Sequence, residues 1–121
     1  MEEMFRKLDA MQALFSAKLP ARLTAIDAAL QDCRDEPGQR GPVELLHQLL
    51  HSMSGSAGTF GYDALGEETR IFEREVQQWL AAGAWSERDF DRLALQLPQL
   101  QAHLQHAPLE MRTRQAPDQP G

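Results

Sequence analysis

Apolar residues recur at three- and four-residue spacing along most of the chain, the period of helices with one buried face. Met4, Phe5, Leu8, Met11, Leu14 and Phe15 predict a first helix over about 2–17. Pro20 suits the first turn of a second helix, about 20–34, with Leu23, Ile26 and Leu30 as its stripe. Residues 35–41, DEPGQRG, read as a loop, after which Pro42 opens a third helix that Gly61 closes. A fourth covers about 63–82 with Leu65, Phe72, Val76, Trp79 and Leu80 inward, and stops at Gly83.

The fifth helix has the best-marked start. Ser86 is an N-cap with Asp89 three positions later, and Trp85 and Phe90 occupy the positions of a hydrophobic staple. Leu93, Leu97, Leu100 and Leu104 carry its apolar face to about His106, and Pro98 predicts a kink or break near Leu97. From residue 107 to 121 three prolines and no apolar period predict a flexible tail or linker. Short loops between helices imply antiparallel neighbours. The expected fold is therefore all-α: an antiparallel up-down four-helix bundle over 1–106, with an additional N-terminal helix.

Composition supports that reading. Leu occurs 17 times and Ala 16 times, whereas Val and Ile together occur four times, a balance that favours helix over sheet. The net charge of −6 comes without any basic stripe, so nucleic-acid binding is not expected. Cys33 is the single cysteine, which excludes an internal disulfide and suits a reducing compartment. No apolar run approaches the roughly 18 residues of a membrane span, and MEEMFRKLDAM lacks an apolar signal core. A cytoplasmic location is expected.

The third helix carries the chemistry. On a wheel at about 100° per residue with Val43 at zero, Leu45, Leu46, Leu49, Leu50, Met53, Ala57 and Phe60 fall between about 200° and about 340°, the expected buried face. His51 falls at about 80°, with Gly58 at about 60° and Gly55 at about 120° on either side of it. Ser54, His47, Gln48 and Glu44 fill the remaining polar arc. Each mid-helix glycine costs about 1 kcal/mol relative to Ala. On an outward face that cost fits a histidine kept bare, with room for a bulky group on its ring or for a partner's backbone. A neutral imidazole nitrogen is a good nucleophile near pH 7, so phosphoryl transfer is one such chemistry. The same spacing also fits an ordinary surface histidine with glycines that allow close helix packing.

The string His51-Ser-Met-Ser-Gly-Ser-Ala-Gly-Thr-Phe-Gly61, then Leu65 and Ile71-Phe72-Glu73, resembles a histidine-containing phosphotransfer (Hpt) domain. The resemblance spans about 1–106 and is most specific over 47–73. It implies a four-helix bundle with an extra N-terminal helix, whose members shuttle a phosphoryl group between receiver-domain aspartates in multistep phosphorelays. It implies His51 as phosphoacceptor and Gly55 as the space for the phosphoryl group. Gln48, His47, Ser54 and Gly58 are then the supporting residues, with Gln48 or a water fixing the ring tautomer. The family's usual Lys three residues after the histidine is Ser54 here, which offers a neutral hydrogen bond in place of a charge. An alternative source of that charge is Arg70, if the fourth helix brings it near His51. The implied partners are receiver domains, such as those of hybrid sensor kinases or diguanylate cyclase regulators. Such partners bring their own Lys and Mg²⁺, so no cofactor is expected on this chain. The alternative is a non-phosphorylated interaction module that binds a receiver or another signalling partner, with Ser54 marking the lost chemistry.

Competing motifs are weaker. His47-Gln-Leu-Leu-His51 has the i, i+4 spacing of a zinc pair, but Gln48 stands where a metalloprotease needs its general-base Glu, so no metal is assigned. Gly55 to Gly61 lacks the Lys of a P-loop. Glu67, Glu68, Glu73 and Glu75, interleaved with Arg70 and Arg74, read as a solvated face with short-range pairs along the helix. Trp79 and Trp85 read as core and cap residues, Cys33 as a small buried side chain, and His103 and His106 as helix-end residues without a role.

Overall fold

A computed structural model describes residues 2–105. His106 and the expected tail over 107–121 lie outside the described residues. Four α-helices, α1 (Glu2–Asp35), α2 (Arg40–Thr59), α3 (Asp63–Ala82) and α4 (Glu87–Gln96), are followed by a 3₁₀ helix over Leu97–Gln105. They form an antiparallel up-down bundle. α2 and α3 make the most extensive pair, α1 lies against α2, and α4 with the 3₁₀ segment closes the other side of α1.

The first two expected helices are one. α1 runs through Pro20 without interruption. Phe15 and Leu19 before the proline, and Leu23, Ile26, Leu30 and Cys33 after it, are all buried in one core. Burial of that continuous stripe outweighs the roughly 3 kcal/mol that proline costs inside a helix. The additional N-terminal helix is thus the outer part of α1. Its apolar residues Met4, Phe5, Leu8, Met11 and Leu14 are exposed, and the core starts at Phe15. α2 starts at Arg40, two residues before Pro42, which still sits in the first turn where its missing N–H has no helical partner.

Ends and breaks follow local chemistry. Gly61 and Gly83 take positive φ, 87° and 65°, at the ends of α2 and α3, where glycine has no Cβ penalty. Ser86 and Asp89 form a reciprocal capping box at the start of α4. Trp79 is buried, with its ring edge-on to Phe90, and Trp85 donates from its indole nitrogen to the Pro37 carbonyl, tying the α3–α4 turn to the α1–α2 turn. α4 gives way to 3₁₀ geometry at Leu97, because Pro98 cannot donate to the α-helical ladder and its ring crowds the Ala94 carbonyl. Cys33 is fully buried, and burial together with the neighbouring Asp32 charge pushes its thiol up to about 11.

The wheel of α2 needs rotation. Leu45 is exposed and Leu49 and Phe60 are only partly buried, whereas Ser54 is buried beside Val43, Leu50 and Ala57. The buried arc is displaced toward the polar side because α3 packs there. Gly66 of α3 sets that approach: a Cβ on it would lie 3.2 Å from the Ser54 carbonyl oxygen and 3.3 Å from the Gly58 nitrogen, both fixed backbone atoms. Gly66→Ala is expected to destabilise the fold by about 1 kcal/mol. Overpacking of about 1–3 kcal/mol exceeds the roughly 1 kcal/mol gained in helix propensity. Thermal unfolding should then show a midpoint lower by about 4 °C. A midpoint equal to or above that of the wild type would mean that the α2–α3 spacing is not fixed at Gly66.

Candidate functional site

The turn at residues 60–62 folds α3 back along α2, with the Tyr62 amide donating to the Ala57 carbonyl at 2.8 Å. Position 51 lies about 15 Å before Gly61 along α2 and position 73 about 18 Å after it along α3, so the two stand nearly level. There His51 Nδ1 lies 2.7 Å from Glu73 Oε2. The His51 side chain is 72% exposed and that of Glu73 is 13% exposed, so a mostly open ring rests on a sheltered carboxylate.

Glu73 gathers three α2 residues. Besides His51, the Ser54 hydroxyl lies 3.2 Å from its Oε1, and His47 Nε2 lies 3.7 Å from its Oε2. Burial pushes the Glu73 carboxyl up, but the hydrogen bond and charge of His51, the Ser54 hydroxyl and the His47 charge outweigh it and hold the group below its ordinary value. The carboxyl is therefore ionised near neutral pH and can only accept. In the neutral form of the ring that assigns the proton to His51 Nδ1 and leaves the lone pair on Nε2, which has no protein partner among the described residues.

Several expected roles are redistributed. Ser54 is 5% exposed and faces inward, its hydroxyl proton shared between the His51 carbonyl, at 3.0 Å, and Glu73. It lines the site from below and is not an outward polar residue. Gln48 is exposed and makes no hydrogen bond to the ring, so Glu73 holds the tautomer in its place. His47 is packed parallel to His51, ring centroids 6.2 Å apart, with its Nε2 buried and lacking a hydrogen bond. Gly55 and Gly58 are exposed, and among the described residues a Cβ on either would meet nothing within 4 Å, so a side chain at either position would not obstruct the packing of the described helices. No group of three or more His, Cys, Asp or Glu among the described residues is arranged to hold a metal ion.

α3 is not a solvated face with internal pairs. Glu68 Oε1 lies 2.7 Å from His103 Nε2, Glu75 pairs with Arg92 of α4, and Glu73 reaches α2, so three of its four glutamates join other elements. Beside the His51–Glu73 pair lies a cleft of about 320 Å³, lined by Gly55 on α2 and by Arg70, Arg74 and Gln77 on α3.

Residues 10–106 match the family model of the Hpt domain. The chain belongs to the Hpt domain family. Comparison with curated proteins and comparison with solved structures returned no match. The family's work is histidine phosphotransfer in two-component phosphorelays, and Hpt domains interact with the receiver domains of those relays. No described helix is long and apolar enough to cross a membrane.

Proposed function

We propose that this protein is a phosphorelay intermediate that accepts a phosphoryl group on His51 from a receiver-domain aspartate and passes it on. The observation that supports this reading most is the 2.7 Å contact from His51 Nδ1 to Glu73, which leaves Nε2 as the free nucleophile on an exposed ring above the bare Gly55 position. Nε2 attacks the phosphorus of the aspartyl phosphate. The N–P bond forms as the acyl O–P bond breaks, and the receiver carboxylate leaves. The ring gains positive charge in that step, and the ionised Glu73 stabilises it through the Nδ1 proton, which stays in place. Reversal of the step delivers the group to the next aspartate.

The receiver is expected to bring the Mg²⁺, which would neutralise charge on the transferring group; this chain supplies nucleophile, orientation and access. Partners of this kind include receivers of hybrid sensor kinases and diguanylate cyclase regulators. The buried lone thiol suits a reducing compartment, and the reading puts the protein in the cytoplasm.

The test is incubation with a phosphorylated receiver domain and mass analysis under mildly basic conditions that preserve phosphohistidine. The expected result is one acid-labile phosphate on the peptide that contains His51. Receiver binding without any acid-labile phosphate would identify a pure interaction module instead.

A further inference from the structure

A phosphoryl group on His51 would stand next to an ionised carboxylate on a chain of net charge −6. While a receiver is docked, the partner's cations can offset that repulsion. After it leaves, only this chain's own cations remain. Position 54, where the family resemblance places a Lys, holds a buried Ser whose proton is already committed to His51 and Glu73. Arg22, near the same end of the bundle, is engaged by the Ser52 hydroxyl and lies over the Phe15 ring.

Two cations remain. Arg70 and Arg74 both line the cleft beside His51 and Gly55. Both are exposed, and neither has a hydrogen-bond or ion-pair partner among the described residues. They are spaced i, i+4, so each disfavours the other on the helix surface unless an anion lies between them. On a wheel of α3 with Phe72 at zero, Glu73 falls at about 100°, Gln77 at about 140°, Arg70 at about 160° and Arg74 at about 200°. The cations thus follow Glu73 around the helix on the side that opens into the cleft.

We propose that Arg70 and Arg74 bind the phosphoryl group on His51 in the free phosphorylated protein, supplying from α3 the positive charge that the family resemblance puts on α2. Guanidinium groups suit this task because they donate in pairs to phosphoryl oxygens. The proposal rests on the reading of His51 as phosphoacceptor, and its test separates the two.

The probe is potassium phosphoramidate, a small donor that needs no receiver. His51 Nε2 attacks phosphorus of the N-protonated donor, the N–P bond to the ring forms as the donor's P–N bond breaks, and neutral ammonia leaves with the hydrogens it already carries, so mixtures of phosphoramidate and ammonia define an equilibrium. The ratio of phosphorylated to free His51 is read by ³¹P NMR and peptide mapping. Arg70→Gln/Arg74→Gln is expected to lower that ratio about tenfold in the same mixture, and Arg70→Lys/Arg74→Lys, which keeps the charge but not the paired donors, to restore part of it. A residue that only speeds the reaction changes forward and reverse rates alike and leaves the ratio untouched. An unchanged ratio in the double Gln variant, with His51 labelled, overturns the clamp and leaves the reading of His51 standing. Absence of label on wild-type His51 overturns that reading itself.

Discussion

His51→Gln is expected to abolish acid-labile phosphorylation of this protein by a receiver, while His47→Gln leaves it on His51. The difference lies in the free nitrogens. His51 offers Nε2 from a ring that is mostly exposed, whereas the His47 side chain is 24% exposed and its Nε2 is buried. His103 uses its Nε2 on Glu68 and sits on the 3₁₀ segment, away from the cleft. Removing an exposed ring should leave the bundle intact, so circular dichroism and the unfolding midpoint of His51→Gln are expected to stay close to wild type. Acid-labile phosphate at wild-type levels in this variant would remove His51 from the mechanism.

Glu73→Gln is expected to slow phosphoryl acceptance about tenfold and Glu73→Ala about a hundredfold, with receiver binding retained. A hydrogen bond to a charged group contributes roughly 1.5–3 kcal/mol, and each step of about 1.36 kcal/mol is a factor of ten in rate. Gln keeps an acceptor for the Nδ1 proton but loses the charge that the ring needs as the N–P bond forms. Ala loses both, and the ring is then free to present either nitrogen. The same carboxyl has a signature in stability. Because it is held below its ordinary value, its contribution is complete above the unfolded carboxyl value of about 4.3 and is lost as pH falls through the lower folded value. The gap in unfolding midpoint between wild type and Glu73→Gln should therefore narrow as pH is lowered through that window. Equal transfer rates for Glu73→Ala and wild type would show that the carboxylate does not orient or stabilise the ring.

What can be read from the sequence is what a single helix encodes. The stripe of α1 from Phe15 onward, those of α3 and α4, the capping box at Ser86 and Asp89, the break before Pro98 and the outward glycines flanking His51 all follow from spacing along one element, whereas the apolar residues of α1 before Phe15 predict a buried face and are exposed. The partner of His51 does not, because it depends on the axial register of two helices. Ser54, at about 20° on the wheel of α2, faces solvent or α3 according to how closely α3 approaches, and Gly66 decides that. One signal for Glu73 is present. On the wheel of α3 it falls at about 100°, between the partly buried Leu80 at about 80° and the buried Gly66 at about 120°, so it is an acidic residue within an otherwise sheltered arc. Pro20 misleads for the opposite reason: its local preference is strong, and a core stripe running through it is stronger.

The single thiol has a practical consequence for watching this protein at work. Cys33 is sealed in the core with its ionisation pushed up to about 11, so at neutral pH alkylating dyes and spin labels find almost no thiolate to attack. A cysteine introduced at the exposed Gln77, on the rim of the cleft, would then be the one reactive sulfur in a natural background. A fluorophore attached there would sense a docking receiver directly, without first engineering any native residue away.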